Sequence, residues 1–358
     1  MLPSPATSAD AYVGYLLGTA VGDALGLPYE GLSRSRAIRM WGPPDRMRFL
    51  LRYGMVSDDT EHACMVAQSL LDSGDDPAKF GSSLAWRLRW WFAGLPAGMG
   101  LATAKACIRL WLGMGHEKSG VHSAGNGPAM RAGMLGLAAS DSNKLRELVR
   151  ISSRLTHTDC RAEHGALAIA LATQLAARRG KVEGEEYREA LKEALGGDDA
   201  ELLLLVESVK QSVAKGESTE EFALAKGWKK GVSGYMYQTV PAVLHAWLSY
   251  ADDYRSAVQA VIRCGGDTDT TAALVGGIVG AAVGKAGIPE EWKLALWEWP
   301  RTVPWMEQLG AALHASANGL AEGKRPQRLS AAGIAARNGL FLSLVLMHGF
   351  RRLLPPYA

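Results

Sequence analysis

The stretch Gly265-Gly266-Asp267-Thr268-Asp269-Thr270-Thr271 opens directly into the small-residue run Ala272 to Ala282. Two carboxylates one residue apart, interleaved with hydroxyls, sit between a glycine pair and an apolar helix. The glycines let the backbone enter the helix tightly and leave room for a ligand. Asp267 or Thr268 is placed to cap the helix, whose positive dipole end favours carboxylates in its first turn. Capping needs only one of these side chains, so the others are available for other work. Alone, the pattern is that of an acidic cap on a packing helix. A second cluster far upstream, Ser57-Asp58-Asp59-Thr60, changes that reading, because it too opens an apolar helix (Cys64, Met65, Ala67, Leu70, Leu71). Asp58 and Glu61 there have capping-box spacing.

Four carboxylates converging at two helix starts repel one another unless protons or cations neutralise them. Carboxylate and hydroxyl oxygens suit Mg²⁺, Mn²⁺ or Ca²⁺ rather than zinc. The pair of clusters therefore predicts a divalent-cation site of one ion or two, on the condition that the two helix starts meet in space.

The 358 residues suffice for a large core, and 48% hydrophobic with 21% charged residues is a globular composition. A formal charge of +3 is too balanced to mark a nucleic-acid binder by itself. Cys64, Cys107, Cys160 and Cys264 show no paired spacing, so reduced, buried thiols are expected rather than zinc or disulfides. No leader pattern and no apolar run long enough to span a bilayer is read. A cytoplasmic monomer with no membrane partner is the expectation.

Outward from the two clusters the chain reads as helices. Ser8 or Asp10 caps a first helix through Val21, in which Gly14, Gly18 and Gly22 recur every fourth residue and form a smooth face for close helix packing. It runs into Gly22-Asp23-Ala24-Leu25-Gly26-Leu27-Pro28-Tyr29-Glu30, where Pro28 ends regular structure and throws Glu30 forward. Asp23 reads as a structural hydrogen-bonding residue, Glu30 as either surface or site. Residues 31–56 read as an irregular connection or lid. Leu84 to Phe92 reads as a helix with an aromatic core face, and Ala102 to Leu112 as one with Ile108 and Leu112 on one face. Ser123-Ala124-Gly125-Asn126-Gly127 is either an ordinary turn or a cradle for phosphate or ribose. In Thr156-His157-Thr158-Asp159 the aspartate caps the next helix, and His157 is a ligand contact or a structural residue. Lys181 to Lys226 reads as charged outer helices, Gly231 to Tyr235 as a turn before a helix at Thr239 to Leu248, and Tyr254 to Arg263 as the helix leading back to Gly265. Beyond Gly287-Ile288-Pro289 lie Trp292, Trp297, Trp299 and Trp305, and then Gly333 to Leu354, apolar and basic without one acid. That last segment either docks on anionic lipid or a partner, or covers the core, which its break at Gly339 and Gly349 favours. Strand-like alternation is nearly absent, so an all-α fold is expected.

Five stretches in order, G-D-A-L-G-L-P-Y-E, S-D-D-T, S-A-G-N-G-P-A-M-R, T-H-T-D and G-G-D-T-D-T, together resemble the ADP-ribosylglycohydrolase family over residues 12 to about 285. The resemblance implies a compact orthogonal multi-helix bundle with a binuclear cleft for two Mg²⁺ or Mn²⁺ ions. It implies Ser57, Asp58, Asp59, Asp267, Asp269 and Thr270 as metal ligands, and Ser123, Gly125, Asn126 and His157 as residues that hold ADP-ribose. Glu30 matches the acid that reaches the metals; it is a candidate to activate water, with Asp58, Asp59 and Asp269 as the other catalytic carboxylates. Residues 1–285 would be the catalytic core and 286–358 a helical extension packed on it, onto which nothing is carried. Cys160 and Met134 stand where the family often has proline. The acid-free stretch from Pro77 to His116 offers no match for a loop aspartate present in some relatives.

The implied activity is hydrolysis of the bond between the anomeric carbon of ADP-ribose and a protein side chain of arginine or serine type. Alternatives are another ribosyl or ADP-ribosyl compound, small molecule or nucleic acid, and a non-catalytic ADP-ribose-binding or structural relative. Cleft selectivity is expected from residues 31–56 and 93–120.

Overall fold

The computed structural model describes residues 8–320 and 326–354. Among these there is no strand and there are seventeen α-helices, so the fold is the expected all-α bundle. In chain order they are α1 (Ala9–Gly26), α2 (Arg34–Trp41), α3 (Asp58–Ser73), α4 (Pro77–Ala93), α5 (Leu101–Trp111), α6 (Ala132–Ala138), α7 (Ser142–Arg154), α8 (Cys160–Arg179) and α9 (Gly184–Leu195). There follow α10 (Ala200–Ala214), α11 (Thr219–Ala225), α12 (Met236–Ser249), α13 (Tyr254–Cys264), α14 (Thr268–Gly287), α15 (Glu290–Leu294), α16 (Val303–Ala317) and α17 (Ala331–Leu353).

The bundle is built on one antiparallel pair, α1 against α14. A methyl group at Gly14, Gly18, Gly22 or Gly26 would lie 2.1–2.3 Å from the carbonyl oxygens of Gly280, Gly276, Ala272 and Thr268 respectively. The two backbones therefore touch along the full length of α1, an approach that only glycine permits. Close packing of this kind makes up for the roughly 1 kcal/mol per residue that glycine costs a helix. Tyr254 on α13 locks the pair by donating from its hydroxyl to Gly18 O at 2.6 Å. The antiparallel arrangement has a consequence for function: the end of α1, with Asp23, lies beside the start of α14, with Asp267 and Asp269.

Around this pair α3 and α16 pack on α1, and α8, α12 and α13 on α14. Ser8 caps α1 through Ala11 N at 3.2 Å, and Asp159 caps α8 through Arg161 N at 2.9 Å, both as expected. The charged helices α9 to α11 lie outside, as their patterning predicts.

Several expectations are corrected. Residues 31–56 are not irregular throughout, since they contain α2. The aromatic residues of α4 do not form one core face: Phe80, Leu84, Leu88 and Trp91 turn inward at helical spacing, which leaves Trp86 and Trp90 on the opposite, exposed side. On α5 Ala106, Cys107 and Leu110 are buried, whereas Ile108 and Leu112 are exposed. Cys160 is exposed while the other three thiols are buried and free. Two helices are long and apolar enough to cross a membrane by length and composition, Thr268–Gly287 and Ala331–Leu353; 72% of the first one's apolar window is buried in the bundle and 28% of the second's.

Candidate active site

The two acidic helix starts meet. Thr270 Oγ1 donates to Asp59 Oδ2 at 3.1 Å across 211 positions of chain. The two helix starts border a cleft of about 590 Å³ whose lining includes the acids Glu30, Asp58, Asp267 and Asp269 with Thr270, and also Ser123, Gly125, Asn126 and His157. Ser57 and Asp59 lie just behind this lining, both buried.

Asp23 builds the α3 side. Its carboxylate accepts from Ser57 N at 2.9 and 3.0 Å and from Thr60 N at 3.2 Å, and Thr60 Oγ1 donates to it as well. A carboxylate from α1 thus satisfies free N–H groups at the start of α3, the structural task foreseen for it. Ser57, not Asp58, is the N-cap, accepting from Asp59 N at 3.2 Å. The expected capping box is absent because Glu61 faces the other way. It accepts from Trp91 Nε1 and from Arg301 Nη1, each at 2.6 Å. Relieved of capping, Asp58 faces the cleft.

Asp267 occupies the N-cap position of α14, yet neither it nor Thr268 caps the helix with a side chain. Asp267 Oδ2 instead accepts from Asn126 Nδ2 at 2.6 Å, and Thr268 Oγ1 donates to Gly26 O at 2.9 Å, tying α14 to α1. Gly265 and Gly266 take positive φ values of 69° and 86°, and a methyl on Gly266 would fall 2.0 Å from Val232 O. Only glycine allows the turn and the close passage that aim Asp267 and Asp269 into the cleft.

The electrostatics are those of acids under strain. Burial, reinforced by Asp23 and other acids, holds Asp58 and Asp59 well above the usual carboxylate range; burial with Glu30 and Asp267 does the same to Asp269. Glu30 is pushed up to about 7 by burial and Asp267, against the opposing pull of Arg352. Asp23 is raised to about 6 by burial despite its hydrogen bonds. Asp59 Oδ1 and Asp269 Oδ1 are buried and have no hydrogen-bond partner, a costly condition for carboxylate oxygens.

The donor set has the chemistry of a hard-cation site. Unpartnered carboxylate oxygens beside the Ser57 and Thr270 hydroxyls are hard ligands of the type Mg²⁺ and Mn²⁺ take. The fit is one of chemistry and not of a finished cage: among the described residues no group of three or more His, Cys, Asp or Glu is arranged to hold a metal ion.

Asn126 N donates to Gly234 O at 2.9 Å, and its side chain also donates to Thr239 Oγ1 at 3.0 Å. Asn126 thereby links the Ser123–Gly127 turn to Asp267. His157 is buried, and burial with the Arg131 guanidinium lowers its pKa to about 3, so the ring is neutral. It packs so closely that a methyl on Gly127 would lie 2.8 Å from His157 Cε1, which explains the glycine. Of the loops expected to line the cleft, 98–103 contributes, but 31–56 supplies only Gly31. Lys230 and residues Gly231 to Gly234 of the expected Gly231–Tyr235 turn also line it. The one sequence signal there is a lysine pair before glycines, too common to single out.

Fold and site define an all-α protein with an acidic, hydroxyl-rich cleft at the meeting of two helix starts. The chain belongs to the ADP-ribosylglycohydrolase family, whose model matches residues 4–323. It is 27% identical to the ADP-ribosyl-[dinitrogen reductase] glycohydrolase of Rhodospirillum rubrum, over 79% of this chain and 89% of that protein. It is 28% identical to ADP-ribosylhydrolase ARH3 of Homo sapiens, over 80% and 89%. A solved structure titled ADP-ribosylglycohydrolase-related protein complex superimposes with a TM-score of 0.64 at 29% identity, covering 86% of this chain and 98% of that one.

Proposed function

We propose that the cleft hydrolyses the bond between the ribose anomeric carbon of ADP-ribose and a protein side chain, of arginine or serine type, with two Mg²⁺ or Mn²⁺ ions as cofactors. The observation that carries this reading is the Thr270–Asp59 contact, with unpartnered Asp59 and Asp269 oxygens beside it. Ser57, Asp58, Asp59, Asp267, Asp269 and Thr270 would hold the ions. When bound, such ions supply positive charge that fixes ribose hydroxyls and acidifies water.

The chain's own residues do the rest. Breaking the glycosidic bond develops oxocarbenium character at the ribose, which a wall of carboxylates stabilises. Glu30, held near neutrality and facing the cleft, is suited to take a proton from the attacking water. The turn Ser123 to Asn126 offers N–H groups to the diphosphate, and neutral His157 packs beneath it without adding charge. The coupled carboxylates share their protons as a group, so the base role goes no further than Glu30 with Asp58, Asp59 and Asp269. The enzyme is taken to act as a cytoplasmic monomer, with residues 1–285 as its catalytic core and 286–358 packed on it.

Release of ADP-ribose from arginine- and serine-modified peptides, with Mn²⁺ and with chelator, tests the reading. D59N and D269N should abolish metal-dependent release while circular dichroism stays helical. Turnover that survives chelation and both substitutions would sink the assignment. Release only from a small ADP-ribosyl compound or a modified nucleic acid would shift the substrate class but leave the site intact.

A further inference from the structure

The last described helix, α17, begins beyond residue 323, where the family match ends. Its inner face packs on the bundle through Arg337, Phe341, Leu344 and His348, which recur every third or fourth residue. His348 stacks on Trp41 and Phe49, and Phe341 meets Phe49 at 5.3 Å between ring centroids. This is the covering role expected of the segment. The opposite face is also apolar: Leu342, Leu346, Phe350 and Leu353 form one exposed stripe at helical spacing, with Phe350 68% and Leu353 81% exposed. A stripe of this kind left to water costs free energy at every position, so it calls for an occupant.

The charge around it names the occupant. Residues 326–354 contain Arg328, Arg337, Arg351 and Arg352 and no acid, and residues 31–56, which pack against α17, contain Arg34, Arg36, Arg39, Arg46, Arg48 and Arg52 against Asp45 alone. Some of these are committed internally: Arg337 to Glu298, Arg34 to Glu220 and Arg48 to Asp45. Arg36, Arg39, Arg46 and Arg52 remain on the exposed surface, and Arg36 donates to Arg352 O, which fixes α2 beside the end of α17. An exposed Leu51 and Ile38 lie in the same arginine-rich segment. A second copy of the chain would set this basic surface against itself, which repulsion opposes. An apolar ridge on an acid-free helix, next to a segment with four exposed arginines, suits a fluid apolar layer beneath anionic headgroups, which takes protruding side chains without needing a matched cavity.

We propose that the outer face of α17, with the arginines of residues 31–56 beside it, docks this protein peripherally on an anionic lipid surface. The helix lies in the headgroup plane with Leu342, Leu346, Phe350 and Leu353 inserted, and it does not span the bilayer, because its inner face stays on the bundle. Arg352 of α17 reaches Glu30 from the inner side of the helix, whereas none of Leu342, Leu346, Phe350 and Leu353 lines the cleft.

The test is co-sedimentation of the full chain with vesicles of phosphatidylcholine alone and of phosphatidylcholine with phosphatidylglycerol. Binding is expected to the second kind only, and to fall as salt is added. L346E/F350E should lower the partition at least about tenfold, and R39Q/R46Q should lower it by about fivefold per arginine. Both variants should keep their helical spectrum and their rate of ADP-ribose release in solution, which separates this test from that of the site. Equal binding to neutral vesicles, no binding to either, or binding untouched by L346E/F350E would overturn the proposal. So would a dimer in solution that L346E/F350E splits, since that would make a second copy the occupant.

Discussion

At the scale of single residues, the hydroxyl of Thr270 is the link between the two acidic clusters. It donates to Asp59 Oδ2, which also accepts from Ser57 Oγ at 3.2 Å, and so aims the free Oδ1. Thr270 would thus both hold an ion and orient a second ligand oxygen, and the orienting contact alone is commonly worth about 10–100-fold in activity or metal affinity. T270V should therefore lose about that much ADP-ribose release while its unfolding midpoint barely moves, and T270S should recover most of the rate. A T270V enzyme at full speed would reduce Thr270 to a packing residue. The identity of these side chains was legible because acids and hydroxyls at an apolar helix start are conspicuous in one dimension. Their partners were not. Glu61 has the spacing to cap with Asp58, but it accepts instead from Trp91 and from Arg301, 30 and 240 positions away, and no local pattern encodes contacts of that range. The same holds for Asp267, whose expected capping role gives way to Asn126, 141 positions upstream.

At the scale of elements, the glycine face of α1 was readable from its four-residue period, but not which helix it meets. The sequence left direction open too, and the antiparallel pairing decides that Asp23 sits at the carboxylate cluster. G22A would push a methyl to within 2.1 Å of Ala272 O, a backbone atom that cannot swing aside. Overpacking of this kind costs about 1–3 kcal/mol or more. We expect G22A to fall at or beyond the top of that range in urea unfolding, with loss of activity exceeding its loss of folded protein. An unchanged midpoint would show that the pair can separate freely. Behind α3 a second tie was unreadable from sequence: Arg337 of α17 donates to Glu298 at 2.9 Å through Nε and Nη2 and also to Val56 O, while Val56 N donates to Glu298 at 3.2 Å. Both residues lie in the segment onto which the family resemblance carried nothing, yet they hold the residue that precedes Ser57. R337M strands a buried carboxylate, for which losses of about 3–5 kcal/mol are typical. R337M/E298Q should regain part of it, because the stranded group is then uncharged. Equal stability of R337M and the parent chain would mean the pair is idle.

At the scale of the whole molecule, the absence of strand periodicity sufficed for the all-α class, while closure of the bundle around one cleft depends on contacts spread across the chain. That closure sets two opposed linkages between pH and stability. Asp23, Glu30, Asp58, Asp59 and Asp269 have raised pKa values, so without a cation the folded chain binds protons more tightly than the unfolded one, and their stabilising contribution is lost as pH rises, for Asp23 and Glu30 through folded values of about 6 and about 7. His245, lowered to about 4 by burial against a small opposing pull from Glu217, and His157, lowered to about 3, act the other way: the unfolded chain takes up their protons first, so stability falls as pH drops below about 6.5. A bound cation competes with protons for the carboxylates only. Its stabilising effect, about 2.7 kcal/mol at a hundredfold excess over its dissociation constant, should therefore grow from pH 5 to pH 7.5. In chelator the midpoint should flatten or decline over that interval; with Mn²⁺ it should climb, as the histidines alone then dictate the slope. D59N/D269N should lose the cation effect but keep the histidine slope, and H245Q should lessen that slope by close to one proton between pH 5 and 6. Thermal midpoints in chelator and in Mn²⁺ that run parallel across this range would contradict cation binding at the carboxylates, whatever the catalytic assay reported.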